Sequence, residues 1–350
     1  MKIASILFPF LFFCTIISCN TLDPLDEITN VSDPDRMLLV LAAPSVHDNY
    51  YSDAFDEIVA FQMAYINKII GKDNVVLIVD ADTKQHYENE LPRDVILVAD
   101  VYDIWMRDFT TVNPMNPVQF RYTWASMTQP ESEEVQGSFN DFANSFGLTR
   151  TNTNLLIDGG NIVDDYNGNV ITTTRFLEDN NLTMEQGKTE LRNLLGATNV
   201  AILEPDEEVL AHSDGMVSWI DENVLLVNDY SGDAGYRDSV LTELQQSFPS
   251  ATILEVPVDY TTNPPGVWEG FESACGVNLN ATVTHKFIYV PTFGMAHEAA
   301  ALQIIRDNTS KTVVEVDARN VCPMGGSVRC LTWQLAGANA DKLINAALND

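Results

Sequence analysis

Met216-Val217-Ser218-Trp219-Ile220-Asp221-Glu222-Asn223-Val224-Leu225-Leu226-Val227 decides how this chain folds. Two runs rich in Val, Ile, Leu and Trp flank the polar pair Asp221-Glu222. That pattern predicts two antiparallel strands joined by a tight turn. Just downstream, 236–247 carries apolar residues at helical spacing, and 252–258 is β-rich again. The order strand, strand, helix, strand makes one ββαβ-type unit.

The alternation continues along the chain from Arg36. Met37-Leu38-Leu39-Val40-Leu41-Ala42-Ala43-Pro44 reads as a buried strand. Asp53 to Ile70 reads as a helix, with Phe55, Ile58, Val59, Phe61, Met63, Ile66 and Ile69 on its apolar side and Gly71 as the stop. Strands follow at 74–79 and 94–98. Further helices are expected near 131–146, 185–195 and 297–307. They lie between β-rich runs at 118–125, 155–157, 169–174, 199–203, 283–291 and 312–316. Alternating strands and helices predict an α/β fold. A doubly wound sheet is the default for that class, but paired β runs favour repeated ββαβ-type units, five in all.

The 350 residues, 45% of them hydrophobic, suffice for a sizeable core. Lys2 and the apolar run from Ile3 to Ile17 form a signal-peptide pattern. Ser18 before Cys19 resembles a bacterial lipobox, so residues 1–19 read as a lipoprotein signal with Cys19 lipidated. Residues 20–35 are acidic and hold two prolines, and read as a flexible tether. One domain, 36–350, follows. The expected location is an exported, membrane-anchored lipoprotein facing the periplasm or cell surface, with ordinary secretion or an uncleaved anchor as alternatives.

Lys and Arg total 19 against 50 Asp and Glu, a net charge of −31. Such a chain repels nucleic acid and attracts cations. Beyond Cys19, the exported part holds Cys275, Cys322 and Cys330, an odd number, so one thiol is free or pairs between molecules. Cys275–Cys322 leaves Cys330 free and Cys322–Cys330 consumes it. The residues do not choose between these.

Four short segments carry chemistry. Gly325-Gly326-Ser327-Val328-Arg329-Cys330-Leu331-Thr332-Trp333 brings a thiol to a Gly-Gly turn at the start of a β-type run. Trp105-Met106-Arg107-Asp108 and Leu155-Leu156-Ile157-Asp158-Gly159-Gly160-Asn161 each end an apolar run on a carboxylate. His212-Ser213-Asp214-Gly215 puts a histidine and an acid two apart, on one side of an extended segment. The first three have plain structural readings: core cysteine or disulfide half, Arg-Asp pair, acidic hairpin turn. A metal site needs further ligands at suitable spacing, and no HxxxH or CxxC cluster is present, so no metal and no cofactor are expected. Together, Cys330, His212, Asp108 and Asp214 describe hydrolysis of a guanidinium. Two carboxylates hold the planar cation, a thiolate attacks its carbon, and a histidine moves the protons.

These segments resemble those of the bacterial peptidylarginine deiminase and agmatine deiminase family, within the guanidino-group-modifying (pentein) superfamily. The resemblance covers about 36–340. Trp105-Met106-Arg107-Asp108 matches the family's W-x-R-D, Asp158-Gly159-Gly160-Asn161 its acidic-Gly-Gly segment, and His212-Ser213-Asp214-Gly215 its H-x-D. Gly325 to Thr332 resembles G-G-x-x-H-C-x-T. Asn280, eleven residues before Pro291, falls where the family has an active-site asparagine, with Asn278 the other register. The resemblance implies a five-bladed α/β propeller. It implies Cys330 as nucleophile, His212 as acid/base, and Asp108 and Asp214 as the guanidinium clamp. Asp158 would orient His212 or touch substrate, and Trp105 and Asn280 would border it. Arg329 departs from the family's His, Asp158 from the Glu of agmatine deiminases, and Phe109-Thr110 from Gly-Pro.

Three functions follow as expectations. The first is an extracytoplasmic protein-arginine deiminase that makes citrulline, with Arg121 binding a substrate carboxylate. The second is an agmatine deiminase that makes N-carbamoylputrescine. The third is an inactive surface binding lipoprotein. The expected partners are a small cationic guanidino compound or an arginine-containing peptide, and the membrane through the N-terminal lipid.

Overall fold

The computed structural model describes residue 25 and residues 27–124, 127–263, 268 and 272–350. The expected signal segment, with Cys19, lies outside them. Among the described residues no helix is long and apolar enough to cross a membrane.

The hairpin quoted above forms. Val217–Asp221 pairs antiparallel with Val224–Asn228, helix Ala234–Ser247 follows, and Thr252–Val256 returns parallel to the second strand. Asn223 turns the chain with a φ of 57°, a left-handed conformation that Asn tolerates better than most residues. The same order recurs. Val163–Asp164, Asn169–Thr173 and Asn199–Leu203 form a unit around helices Arg175–Asn180 and Met184–Leu195. Thr282–Val283, Phe287–Thr292 and Thr312–Asp317 form another around Glu298–Asp307. Val118–Arg121 and Thr151–Leu156 run parallel across helix Gln129–Ser145, and their leading strand shrinks to a bridge from Val112 to Val118. The remaining unit joins the two ends of the chain. Trp333–Leu335 pairs antiparallel with Leu38–Ala42, and helix Phe55–Ile69 leads to the parallel strand Asn74–Val79. Five ββαβ units thus account for the main sheets of the described residues.

Burial explains the alternation. Leu39, Leu41, Val75 and Leu77 pack with Ile58, Phe61, Tyr65 and Ile66 of helix Phe55–Ile69. Their neighbours Leu38, Val40, Val76 and Ile78 face the other way, towards Phe139, Phe142 and Trp333. Successive strand residues point to opposite faces. A strand covered on both faces is therefore apolar throughout. Each such side chain contributes about 1.5–3 kcal/mol relative to exposure. Helix Gly337–Leu348 was not anticipated, although Ala340, Leu343, Ile344 and Ala347 sit buried at helical spacing.

The expected tether is shorter than 20–35. Asn30 is buried; its side chain accepts from Val75 N at 2.8 Å and donates to Val75 O at 2.8 Å and Asp94 O at 2.7 Å. Asp94 Oδ2 accepts from the backbone N–H of Thr29 and Asn30. A polar composition reads as loose, but here complementary side chains hold residues 29–31 against the domain.

Candidate active site

Gly325 and Gly326 deliver Cys330 as expected, but not on a strand. Residues 327–332 form a turn, closed by Leu331 N donating to Ser327 O at 3.2 Å and Thr332 N to Arg329 O at 3.0 Å. The strand begins only at Trp333. Asn280 fixes this turn. Its Oδ1 accepts from Ser327 Oγ at 2.9 Å, Arg329 N at 3.2 Å and Cys330 N at 3.4 Å, and its Nδ2 lies 3.1 Å from Cys330 Sγ. Asn278 instead donates to Pro291 O, so Asn280 is the register that reaches the thiol. A Cβ on Gly326 would lie 2.5 Å from the Trp105 ring and 2.9 Å from Cys330 Cβ. Only glycine permits that approach. Cys275 and Cys322 form a disulfide, and Cys330 is a free, buried cysteine.

The Trp105 segment makes one helical turn, Met106–Phe109, tied to the cysteine by Arg107 N donating to Cys330 O at 3.0 Å. Arg107 does not form the Arg-Asp pair of the plain reading: its Nη2 donates to Gln334 Oε1 at 2.8 Å. Asp108 faces Asp158 and His212 instead, and ligand atoms of the three lie within 4.8 Å of one another. His212 Nε2 lies 3.1 Å from Asp158 Oδ2, without the alignment of a hydrogen bond, and Nδ1 lies 3.9 Å from Asp214 Oδ1. Asp108 Oδ1, Asp158 Oδ2 and His212 Nε2 are buried with no hydrogen-bond partner. Gly160 makes room, since a Cβ there would lie 2.4 Å from His212 Nδ1. Asn161 Oδ1, accepting from Thr173 N at 3.0 Å and Ser213 N at 3.3 Å, ties the Asp158 segment to the His212 segment.

Arg329 follows the geometry of the turn. Its Nη1 donates to Asp214 Oδ2 at 2.9 Å and its Nη2 to Ile162 O at 2.8 Å. One oxygen of Asp214 is therefore already engaged.

The charges interact strongly. Burial opposes a charged imidazole, yet Asp158, Asp108 and Asp214 outweigh it and raise His212 to about 10. Burial, and then the charge of Asp158, pushes Asp108 well above the carboxylate range. Burial, then Asp214 and Asp108, pushes the Cys330 thiol well up. Asp108 and Cys330 thus favour their neutral forms and His212 its charged form, and a bound cation opposes the first two preferences.

A cleft of about 310 Å³ opens above Cys330, His212 and Asp108. Its walls include Tyr50, Tyr51, Tyr102, Trp105, Tyr122 and Trp124, and its other carboxylates are Asp48 and Asp103. No lysine or arginine is among its described lining residues. Asp103 Oδ1 accepts from Tyr51 Oη at 2.6 Å, and burial raises its carboxyl to about 6. Sequence reasoning passed over Asp103 and the tyrosines. The signal was present in Tyr102-Asp103, next to Trp105, and in Tyr50-Tyr51. Arg121 does not join the site. It is exposed, does not line the cleft, and its Nε donates to Glu133 Oε1 at 2.9 Å. The next residue, Tyr122, lines the cleft.

Comparison with known proteins agrees with this arrangement. The sequence profile of Porphyromonas-type peptidyl-arginine deiminases matches residues 34–336. A protein of Shewanella sp. (strain MR-7), provisionally named an agmatine deiminase, is 27% identical over 217 residues, 54% of this chain and 59% of its own length. The match thus spans well under two thirds of that relative. An agmatine deiminase of C. jejuni solved with substrate bound superposes with a TM-score of 0.71 at 17% identity, covering 88% of this chain and 96% of its own. An agmatine deiminase of Enterococcus faecalis gives 0.69 at 16% identity, covering 87% and 94%. At these identities the likeness is one of fold, the α/β pentein fold.

Proposed function

Since this chain belongs to the Porphyromonas-type peptidyl-arginine deiminase family, we propose that it hydrolyses a guanidinium to a ureido group and ammonia, with agmatine as substrate. The cleft carries this reading. Its aromatic walls suit a cationic tail, and Asp48 and Asp103 offer carboxylates to a distal ammonium. Free arginine would bring a carboxylate against these acids with no cation to meet it. Arginine within a peptide brings no second charge to match them. The relatives named agmatine deiminases support the same choice.

In this mechanism the guanidinium lies between Asp108 and Asp214, which accept its N–H groups. Asp214 contributes Oδ1, because Arg329 holds Oδ2. Burial, and then the charges of Asp214 and Asp108, keep the Cys330 thiol protonated; the arriving cation offsets those charges, and the thiol proton passes to solvent. Sγ attacks the guanidinium carbon and a C–S bond forms. His212, protonated up to about pH 10, gives its proton to the departing nitrogen, and the C–N bond breaks to release ammonia. Water then attacks the same carbon. His212 takes one of its protons, the other passes to solvent, the C–S bond breaks, and the ureido product and thiolate separate. Asp158 orients and charges the imidazole.

The test is ammonia and ureido formation by the purified protein with agmatine, free arginine, a peptide with C-terminal arginine and a peptide with internal arginine. Agmatine should lead. A preference for internal arginine would restore a protein-arginine deiminase. No turnover of any of them would favour a surface binding protein.

Asp108, Asp158 and His212 favour a second reading, since three such groups can hold a metal ion. Activity that survives EDTA rejects it, whereas complete loss restored by one divalent ion would make this a metallohydrolase. We also propose export and lipidation at Cys19, on the apolar run and the Ser18-Cys19 step. Fatty-acid labelling lost in Cys19→Ala is its test.

A further inference from the structure

We propose that a second, smaller cavity beside Cys330 is the route by which ammonia leaves and hydrolytic water enters. The proposal rests on the deiminase reading above. This cavity, about 80 Å³, shares Leu210, His212, Gly325 and Cys330 with the substrate cleft. Its remaining walls come from other parts of the chain, among them Asp206, Asp214, Gly215, Tyr260, Ala274 and Asn280. The two cavities therefore meet at the nucleophile and the proton carrier. Leu210 stands at their junction.

Size and charge identify the occupant. A buried water needs about 10–15 Å³ of such space, so this cavity has room for several waters or an ammonium ion. Asp206, Glu207 and Asp214 line it, with no described lysine or arginine. Asp206 Oδ2 accepts from Tyr230 Oη at 2.8 Å and Tyr260 Oη at 3.0 Å. Tyr260 is 56% exposed, which brings the cavity to the surface. A polar, acidic wall suits water and ammonium and disfavours anions.

The reaction sequence requires such a route. After C–S bond formation and C–N cleavage, the tail of the covalently held substrate still fills the larger cleft. The nitrogen that leaves must depart past His212, and the water that replaces it must reach the same carbon. Asp214, which faces the guanidinium, borders the small cavity rather than the large one. The nitrogen nearest Asp214 is therefore the one placed to leave.

Two substitutions fill the cavity without replacing a reacting group. A Cβ on Gly215 meets no atom within 4 Å, so Gly215→Leu extends into open space. Ala274→Phe acts from the opposite segment. The experiment is rapid-quench kinetics with agmatine on wild type and both variants, reading ammonia and the intact mass of the protein. Each variant should keep a burst of about one ammonia per site, lose about tenfold or more in steady-state rate, and accumulate the adduct on Cys330. The retained burst shows that the fold and the first step survive. Steady-state rates within twofold of wild type with no adduct would overturn the proposal. So would loss of the burst in step with turnover, which would place the cavity in substrate binding. Wild type inactive on every guanidino compound would remove the deiminase reading itself, and this proposal with it.

Discussion

Around Cys330 side-chain hydrogen bonds fix the backbone segments that carry the site, whereas at the outer end of the same cleft Tyr50 and Tyr102 stand 54% and 61% exposed. Asn280 alone fixes the backbone of two consecutive residues and touches the thiol. Arg329 fixes Asp214, and Asn161 ties the Asp158 and His212 segments together. The mouth is more open, with ties such as Tyr50 N donating to Asp48 Oδ1 at 2.8 Å, Tyr102 N to Ser138 Oγ at 3.2 Å and Tyr51 Oη to Asp103 Oδ1 at 2.6 Å. Bond making needs atoms placed in advance. Choice of tail needs only a complementary wall. Changes to the floor should therefore act on kcat, and changes to the mouth on KM.

The largest effect is expected at the nucleophile. Cys330→Ser should abolish ammonia release and keep binding of a guanidino ligand, measured by calorimetry. Normal turnover by that variant would break the distinction at its root. The clamp comes next. Removing one carboxylate leaves a buried cation half paired, at about 3–5 kcal/mol, and about 1.36 kcal/mol is tenfold in rate. Asp108→Asn and Asp214→Asn should each lower kcat/KM by roughly two to four orders of magnitude, with folding checked by circular dichroism. Asp158→Asn should cost less, because an amide oxygen can still orient the imidazole.

The thiol itself gives a pH test. Its raised value means that the free protein keeps Cys330 as a neutral thiol through the ordinary thiol range. Alkylation of Cys330 without substrate, followed by peptide mapping, should quicken by about tenfold per pH unit from 7 to 9. A rate already level at pH 7 would mean a preformed thiolate. The smallest change belongs to the mouth. Asp103→Asn should raise KM for agmatine by about two- to fivefold, as expected for losing a partly exposed charge partner, and leave kcat within about twofold. An equal loss in kcat would show that the mouth takes part in positioning.

Much of this arrangement was legible because repetition and local chemistry agree. The hairpin at 216–227 carried the unit, and glycine pairs next to Asp158 and Cys330 marked close approaches that their geometry now explains. What was hidden depended on distance. Trp333–Leu335 completes a sheet with Leu38–Ala42 from the far end of the chain, which no local pattern indicates. The turn at Cys330 looked β-like because Val328, Cys330 and Leu331 are apolar or thiol-bearing, but Asn280, fifty residues away, bends it. Arg121 looked suited to a carboxylate, yet Glu133, one helix later, engages it at the surface. The disulfide could not be read from spacing either, since Cys275 and Cys322 are brought together by the segments around the site.

The most direct test of the account is the covalent intermediate. Wild-type protein quenched in acid during turnover of agmatine, then digested and analysed by mass spectrometry, should carry agmatine less ammonia on the peptide containing Cys330, and the adduct should vanish as substrate is exhausted. Sustained ammonia release with no adduct on Cys330, or with an adduct on another residue, would contradict it.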